Sequence, residues 1–140
     1  MRWAALLLPA LLCGSSGGAQ PRPAPPVLVG IDALRADFGA KSGTDTVYFG
    51  SGSAILGAPS KAVLAAQAQW LLMHPEVAVQ IEGYADSNDT RDHALAMGAK
   101  RAEEVRDYLV LMGVPAEQLT AMSWGKERYG VGRAVTVLAR

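Results

Sequence analysis

The sequence predicts an α/β two-layer sandwich in which two helices cover one face of a mixed sheet, its elements in the order strand, helix, strand, helix, strand, strand. Three patterns predict it. In 77–82 the apolar Val77, Val79 and Ile81 alternate with Ala78, Gln80 and Glu82, the period of a half-buried strand. From Leu95 onward the spacing becomes helical, through Ala99, Ala102, Val105, Leu109 and Met112. Further β-forming runs flank these two segments and are bounded by glycine-rich turns. With 140 residues the chain is long enough for one such domain and too short for two.

The first 44 residues lie outside that domain. Met1-Arg2 is a short positive region, Trp3 to Leu12 is apolar, and Gly14 to Ala19 is a run of small residues. That is the layout of a secretory signal peptide, too short for a stable membrane span. Small Gly17 and Ala19 fit cleavage after Ala19, so 1–19 reads as a signal peptide and the product starts at Gln20. Residues 20–44 then form a tether and lead-in. Gln-Pro-Arg-Pro-Ala-Pro-Pro at 20–26 favours extended polyproline II, because each proline fixes φ and removes a donor. Between Val27 and Lys41, Leu28, Ile31, Leu34 and Phe38 stand at near-helical spacing before Gly39 and Gly43 interrupt. A short segment docking on the domain is expected there.

The domain occupies 45–140. Asp45 to Phe49 is rich in β-formers and stops at Gly50-Ser51-Gly52, hence a strand and a loop. Ser60 is the expected N-cap of a helix running to His74, with Val63, Leu64, Gln67, Ala68 and Leu71 facing inward and Pro75 ending it. The alternating strand ends at Gly83. Asp89 or Thr90 opens the long helix, Gly113 stops it and Pro115 opens a turn. Leu119–Trp124 and Arg133–Leu138 supply the last two strands. Strands joined by a helix are expected to run parallel.

Composition narrows the function. Thirteen basic and thirteen acidic side chains cancel, and loss of Arg2 on export would leave about −1, so net charge points to no nucleic acid partner. His74 and His93 are isolated, without zinc spacing, and His74 reads as a solvated helix end. No serine, cysteine or histidine grouping pairs a nucleophile with a base, so neither an enzyme nor a cofactor is read here. Asp86, Asp89 and Asp92 crowd one loop, but they lack the alternate-ligand pattern of a calcium loop, and acids at a helix start suit its dipole. Trp70 and Trp124 are expected to pack between helix and sheet.

One pair remains. Asp86 ends a strand and Arg101 lies on the following helix. A fixed carboxylate and a fixed guanidinium on neighbouring elements suit a zwitterion bearing both an ammonium and a carboxylate. An ordinary intramolecular salt bridge is the competing reading.

The sequence blocks around this pair resemble a known family. Val47-Tyr48-Phe49, Ile81-Glu82-Gly83-Tyr84-Ala85-Asp86, Leu95-Ala96-Met97-Gly98, Lys100-Arg101-Ala102, Met112-Gly113-Val114-Pro115 and Ser123-Trp124-Gly125-Lys126-Glu127-Arg128 follow in the order of the OmpA-like peptidoglycan-binding domain. The likeness spans 45–138 and is greatest to the peptidoglycan-associated lipoprotein branch. It implies a non-enzymatic domain that binds meso-diaminopimelate in the stem peptide of peptidoglycan and helps tether the outer membrane to the wall. Asp86 would take the ligand's ammonium and Arg101 its carboxylate, with Gly50, Ser51, Leu95 and Met97 around them. It also implies docking onto periplasmic proteins of the Tol system, and a place in the periplasm or on the periplasmic face of the outer membrane of a Gram-negative bacterium. The chain departs from the family at Tyr84, Ala85, Asp89 and Ala94, in the Gly50-Ser51-Gly52 loop, and in the short Tyr129-Gly130-Val131-Gly132 connection. The alternative is an envelope interaction protein that kept the fold and lost the ligand. Removing Asp86 or Arg101 is expected to abolish binding and leave the fold intact.

Lipidation of Cys13 is the other route out of the signal, and would anchor the chain to the outer membrane. The lipoprotein signal takes a small residue where this chain has bulky Leu12, which favours cleavage after Ala19. Mass spectrometry of the mature N-terminus is expected to find Gln20, and a lipid-modified Cys13 would contradict that.

Overall fold

The structure, a computed structural model, describes residues 30–128 and 132–139. The signal peptide, the Ala19 cleavage, Cys13 and the polyproline stretch lie outside the described residues. Among the described residues no helix is long and apolar enough to cross a membrane.

The lead-in is a full helix, α1 (Ile31–Ser42), rather than a short docking segment. It ends where the Ser42 hydroxyl folds back onto the Phe38 carbonyl at 2.6 Å and Gly43 turns the chain at φ 81°. Buried Phe38 meets Trp70 edge to face at 5.1 Å, the Trp70 Nε1–H donates to Asp37 at 2.7 Å, and Arg35 Nη2 donates to the Leu138 carbonyl at 2.9 Å. Three helices therefore cover the sheet where two were expected. Gly39 in mid-helix and a weak segregation of polar from apolar residues conceal the element in the sequence.

The next elements fall close to expectation. Strand β1 is Thr46–Tyr48 and helix α2 is Ala58–Met73. Its N-cap is Gly57, with a proline in the first turn, so Ser60 is freed to reach the Tyr48 carbonyl at 3.4 Å. His74 ends α2 half-buried, its ring stacked 3.8 Å from that of Trp70 rather than solvated. Strand β2 is Val79–Tyr84 and α3 is Arg91–Leu111, where Thr90 caps the first turn by accepting the His93 N–H. A 3₁₀ turn at Ala116–Gln118 leads into β3 (Leu119–Gly125), and β4 (Arg133–Leu138) closes the domain.

The sheet order is β1-β4-β2-β3. Strand β2 runs parallel to β3, as a helical crossover requires, whereas β4 is antiparallel to both β1 and β2. The last strand in sequence thus lies inside the sheet, with Ala134 between Val47 and Gly83. Leu64, Leu71, Val79, Ile81, Val105, Leu109 and Leu138 fill the core between sheet and helices. One polar link crosses it. Thr136 Oγ1 donates to Gln67 Oε1 at 2.8 Å and Gln67 Nε2 donates to the Thr44 carbonyl at 2.9 Å, so these buried groups are partnered.

Helix α3 approaches β2 through two glycines. A Cβ on Gly83 would fall inside the Gly98 carbonyl, and one on Gly98 would strike Ser123 and the Gly83 carbonyl. This contact turns Ala94, Gly98, Arg101, Ala102, Val105 and Leu109 to the sheet, a stripe shifted from the expected one, and leaves Leu95 51% and Met112 39% exposed. Gly83→Ala is expected to destabilise the domain by about 3 kcal/mol through backbone overpacking. Gly39→Ala, facing open space in α1, is expected to stabilise it by about 0.5–1 kcal/mol. Urea unfolding of both variants checks the contrast.

Candidate ligand-binding site

The end of β2 brings the predicted pair together without joining it. Arg101 is fully buried, at 0% exposure. A guanidinium cannot shed its charge in a protein, so burial must be matched by acceptors. Three backbone carbonyls supply them. Nε donates to Ser53 at 2.8 Å, Nη1 to Tyr84 at 2.8 Å and Nη2 to Gly50 at 3.1 Å. The guanidinium carbon lies 5.4 Å from the centre of the Phe49 ring. Burial pushes the Arg101 pKa below its ordinary value, and the nearby Asp86 and Asp89 carboxylates pull it back up.

Asp86, half-buried just past β2, makes no direct ion pair with Arg101. Its Oδ1 accepts the Gly132 N–H at 3.0 Å, while the Gly132 carbonyl accepts the Phe49 N–H at 2.9 Å. Gly132 is thereby pinned against the guanidinium. A Cβ there would come within 2.5 Å of Arg101 Nη1 and 2.7 Å of Nη2. Only glycine fits. The competing salt-bridge reading is not what the structure shows, since Asp86 spends Oδ1 on the Gly132 amide and lies outside ion-pair distance of Arg101.

The other expected site residues divide. Gly50 contributes its carbonyl to Arg101, and exposed Ser51 lies in the same turn, closed by the Ser53 N–H to Gly50 carbonyl bond at 3.1 Å. Half-buried Met97 precedes Arg101 by one helical turn, on the same flank. Leu95 is not brought in. The glycine contact rotates it toward β3, where its carbonyl accepts the Ser123 hydroxyl at 2.7 Å and its backbone abuts Gly125. Ala94 is buried against that same glycine. Trp124 is a second correction. It stands on the sheet face away from the helices, half-buried, with the Arg128 guanidinium carbon 3.9 Å over its ring. Sequence reasoning missed Ser53, Tyr84 and Gly132, which act through backbone atoms, and the glycine beside a strand start was the one available signal for Gly132.

The domain is thus three helices on a mixed sheet with a buried arginine and a neighbouring carboxylate at one sheet end, and comparison with known proteins gives the family. The OmpA family model matches residues 48–136. The peptidoglycan-associated lipoprotein of Rhizobium meliloti is 44% identical over 92 residues, covering 66% of this chain and 52% of that protein. That of Pseudomonas aeruginosa is 34% identical over 116 residues, covering 82% of this chain and 68% of the relative. The crystal structure of the peptidoglycan-associated lipoprotein from Burkholderia pseudomallei superposes with a TM-score of 0.66 at 36% identity, covering 69% of this chain and 91% of that one. The chain belongs to the OmpA family. It spans about half the length of the rhizobial relative.

The expectation that Arg101 can be removed without harm to the fold fails on this geometry. Arg101→Ala leaves three carbonyls without a donor and is expected to destabilise the domain by about 3 kcal/mol or more. Asp86→Asn keeps an acceptor for Gly132 and is expected to stay within about 1 kcal/mol of wild type. Urea titration of the two variants checks this.

Proposed function

We propose that this domain binds peptidoglycan non-covalently through the diaminopimelate of the stem peptide, in the bacterial cell envelope, and so helps hold the envelope to the wall. The observation that carries the reading is the held guanidinium of Arg101 beside the Asp86 carboxylate. Asp86 keeps Oδ2 for the ligand's ammonium while Oδ1 holds Gly132. Arg101 uses one N–H on each of its three nitrogens for backbone carbonyls, which leaves a second hydrogen on Nη1 and on Nη2 for a carboxylate. With Gly132 seated on it the guanidinium is closed to solvent, so the carboxylate reaches it as Gly132 backs away. The names of the relatives support the wall as the target, and the family relationship extends the proposal to docking on periplasmic Tol proteins.

The same burial favours a second reading, an envelope interaction domain in which Gly132 never leaves and the ligand is lost. Sedimentation with purified diaminopimelate-type sacculi separates the two. Wild type is expected to co-sediment, and Asp86→Asn to lose binding by a factor of ten or more, about 1.4 kcal/mol per tenfold. Free diaminopimelate is expected to displace the domain better than lysine, which has a single ammonium-carboxylate centre. Equal sedimentation of wild type and Asp86→Asn would sink the first reading.

A further inference from the structure

The sheet face turned away from the helices carries two arginines without an ion pair among the described residues. Tyr84 points to that face beside Glu82, and Trp124 does so because its neighbours Ser123 and Gly125 both meet α3. The Arg133 guanidinium carbon lies 4.5 Å from the centre of the Tyr84 ring, and that of Arg128 lies 3.9 Å over Trp124. Neither arginine has an ion pair among the described residues. Residues 1–29 and 129–131 contain no aspartate or glutamate, so those segments supply no acidic side chain either. Glu82 lies on this face, where it accepts the Tyr84 hydroxyl at 2.6 Å and the Gln80 amide at 3.4 Å. Burial of the Tyr84 hydroxyl, then Glu82, push its pKa up, while Arg128 pulls it down.

This cationic pair adjoins the Asp86–Arg101 site through the backbone. Tyr84 gives its carbonyl to Arg101 on one side and its ring to Arg133 on the other. Arg133 directly follows Gly132, the residue that Asp86 holds, so the two Cα atoms are about 3.8 Å apart. A guanidinium lying over an aromatic ring is held in orientation while its N–H edge stays free to meet a planar anion.

Resting on the function proposed above, we infer that Arg133, backed by Arg128, forms a second anion subsite that takes a stem-peptide carboxylate other than those of diaminopimelate. Two sources supply that chemistry, the free carboxylate of the glutamate before diaminopimelate and the terminal carboxylate of the alanine after it. The arrangement selects peptides that still carry the charge.

Calorimetric titration of the whole processed chain with soluble disaccharide muropeptides tests this. Four ligands are used, with the glutamate free or amidated and the peptide ending at diaminopimelate or at alanine. Arg133→Ala is expected to bind the fully charged ligand about tenfold more weakly than wild type. That difference should vanish for the ligand lacking the recognised carboxylate, amidated glutamate marking one source and the shortened peptide the other. Arg133→Lys, which keeps charge without the fork, should fall between. Raising salt should narrow the gap. Arg133→Ala binding all four ligands like wild type, or weakening all four equally, would overturn the inference. Asp86→Asn, run in parallel, reports on the underlying reading. If it binds like wild type, that reading falls, whereas the dependence of the Arg133 effect on ligand charge is read separately.

Discussion

A permanently charged guanidinium placed out of water is the constraint on which this end of the domain is built. Arg101 cannot be neutralised, so the surrounding backbone has to face it with oxygen. That requirement shapes the turn after β1, which offers Gly50 and Ser53, and the end of β2, which offers Tyr84. It also sets glycine at 132 against the guanidinium, where a side chain would push Arg101 aside. The Gly132 amide and carbonyl are then taken by Asp86 and Phe49, which fastens the approach to β4 to the strands on either side. The carboxylate and the cation are thus held close, yet each keeps capacity for another partner.

The sheet topology makes this convergence available. Because β4 is inserted between β1 and β2, the turn after β1, the end of β2 and the start of β4 meet at one end of the sheet. Helix α3 is drawn down onto β2 by the Gly83–Gly98 contact, and Arg101, three residues beyond Gly98, is carried beneath that end. A bulkier residue at either glycine would lift the helix and move the cation. Packing of this backbone pair and chemistry at the site are therefore one problem, solved by the absence of two methyl groups.

Much of this was legible in the sequence, and the failures have physical causes. The alternation in 77–82 and the helical spacing after Leu95 located β2 and α3, and Thr90 was a true cap. Asp86 and Arg101 stood out because charged residues at a strand end and along an amphipathic helix need a reason. Helix α1 was underread because Gly39 masks it, and Ser60 lost the cap to Gly57. Leu95 was misplaced because an apolar residue is the default choice for a helix's inner face, and the sequence does not announce that glycine and alanine will take that face in order to bring two backbones together. Three of the groups that hold Arg101 are carbonyl oxygens, which every residue carries, so no residue type could have flagged them.

The central claim is that Arg101 is held by the backbone beneath Gly132 and that a zwitterionic ligand lifts Gly132 to reach it. Proton–nitrogen spectra that follow the Arg101 Nε–H and the Gly132 amide during titration with diaminopimelate test it most directly. In the free protein both protons should be protected from solvent exchange. Addition of ligand should shift the Gly132 amide saturably and raise its exchange, while the Arg101 Nε–H, bonded to Ser53, stays protected. An Arg101 Nε–H that exchanges as fast as an exposed arginine, with a Gly132 amide indifferent to ligand, would contradict the account.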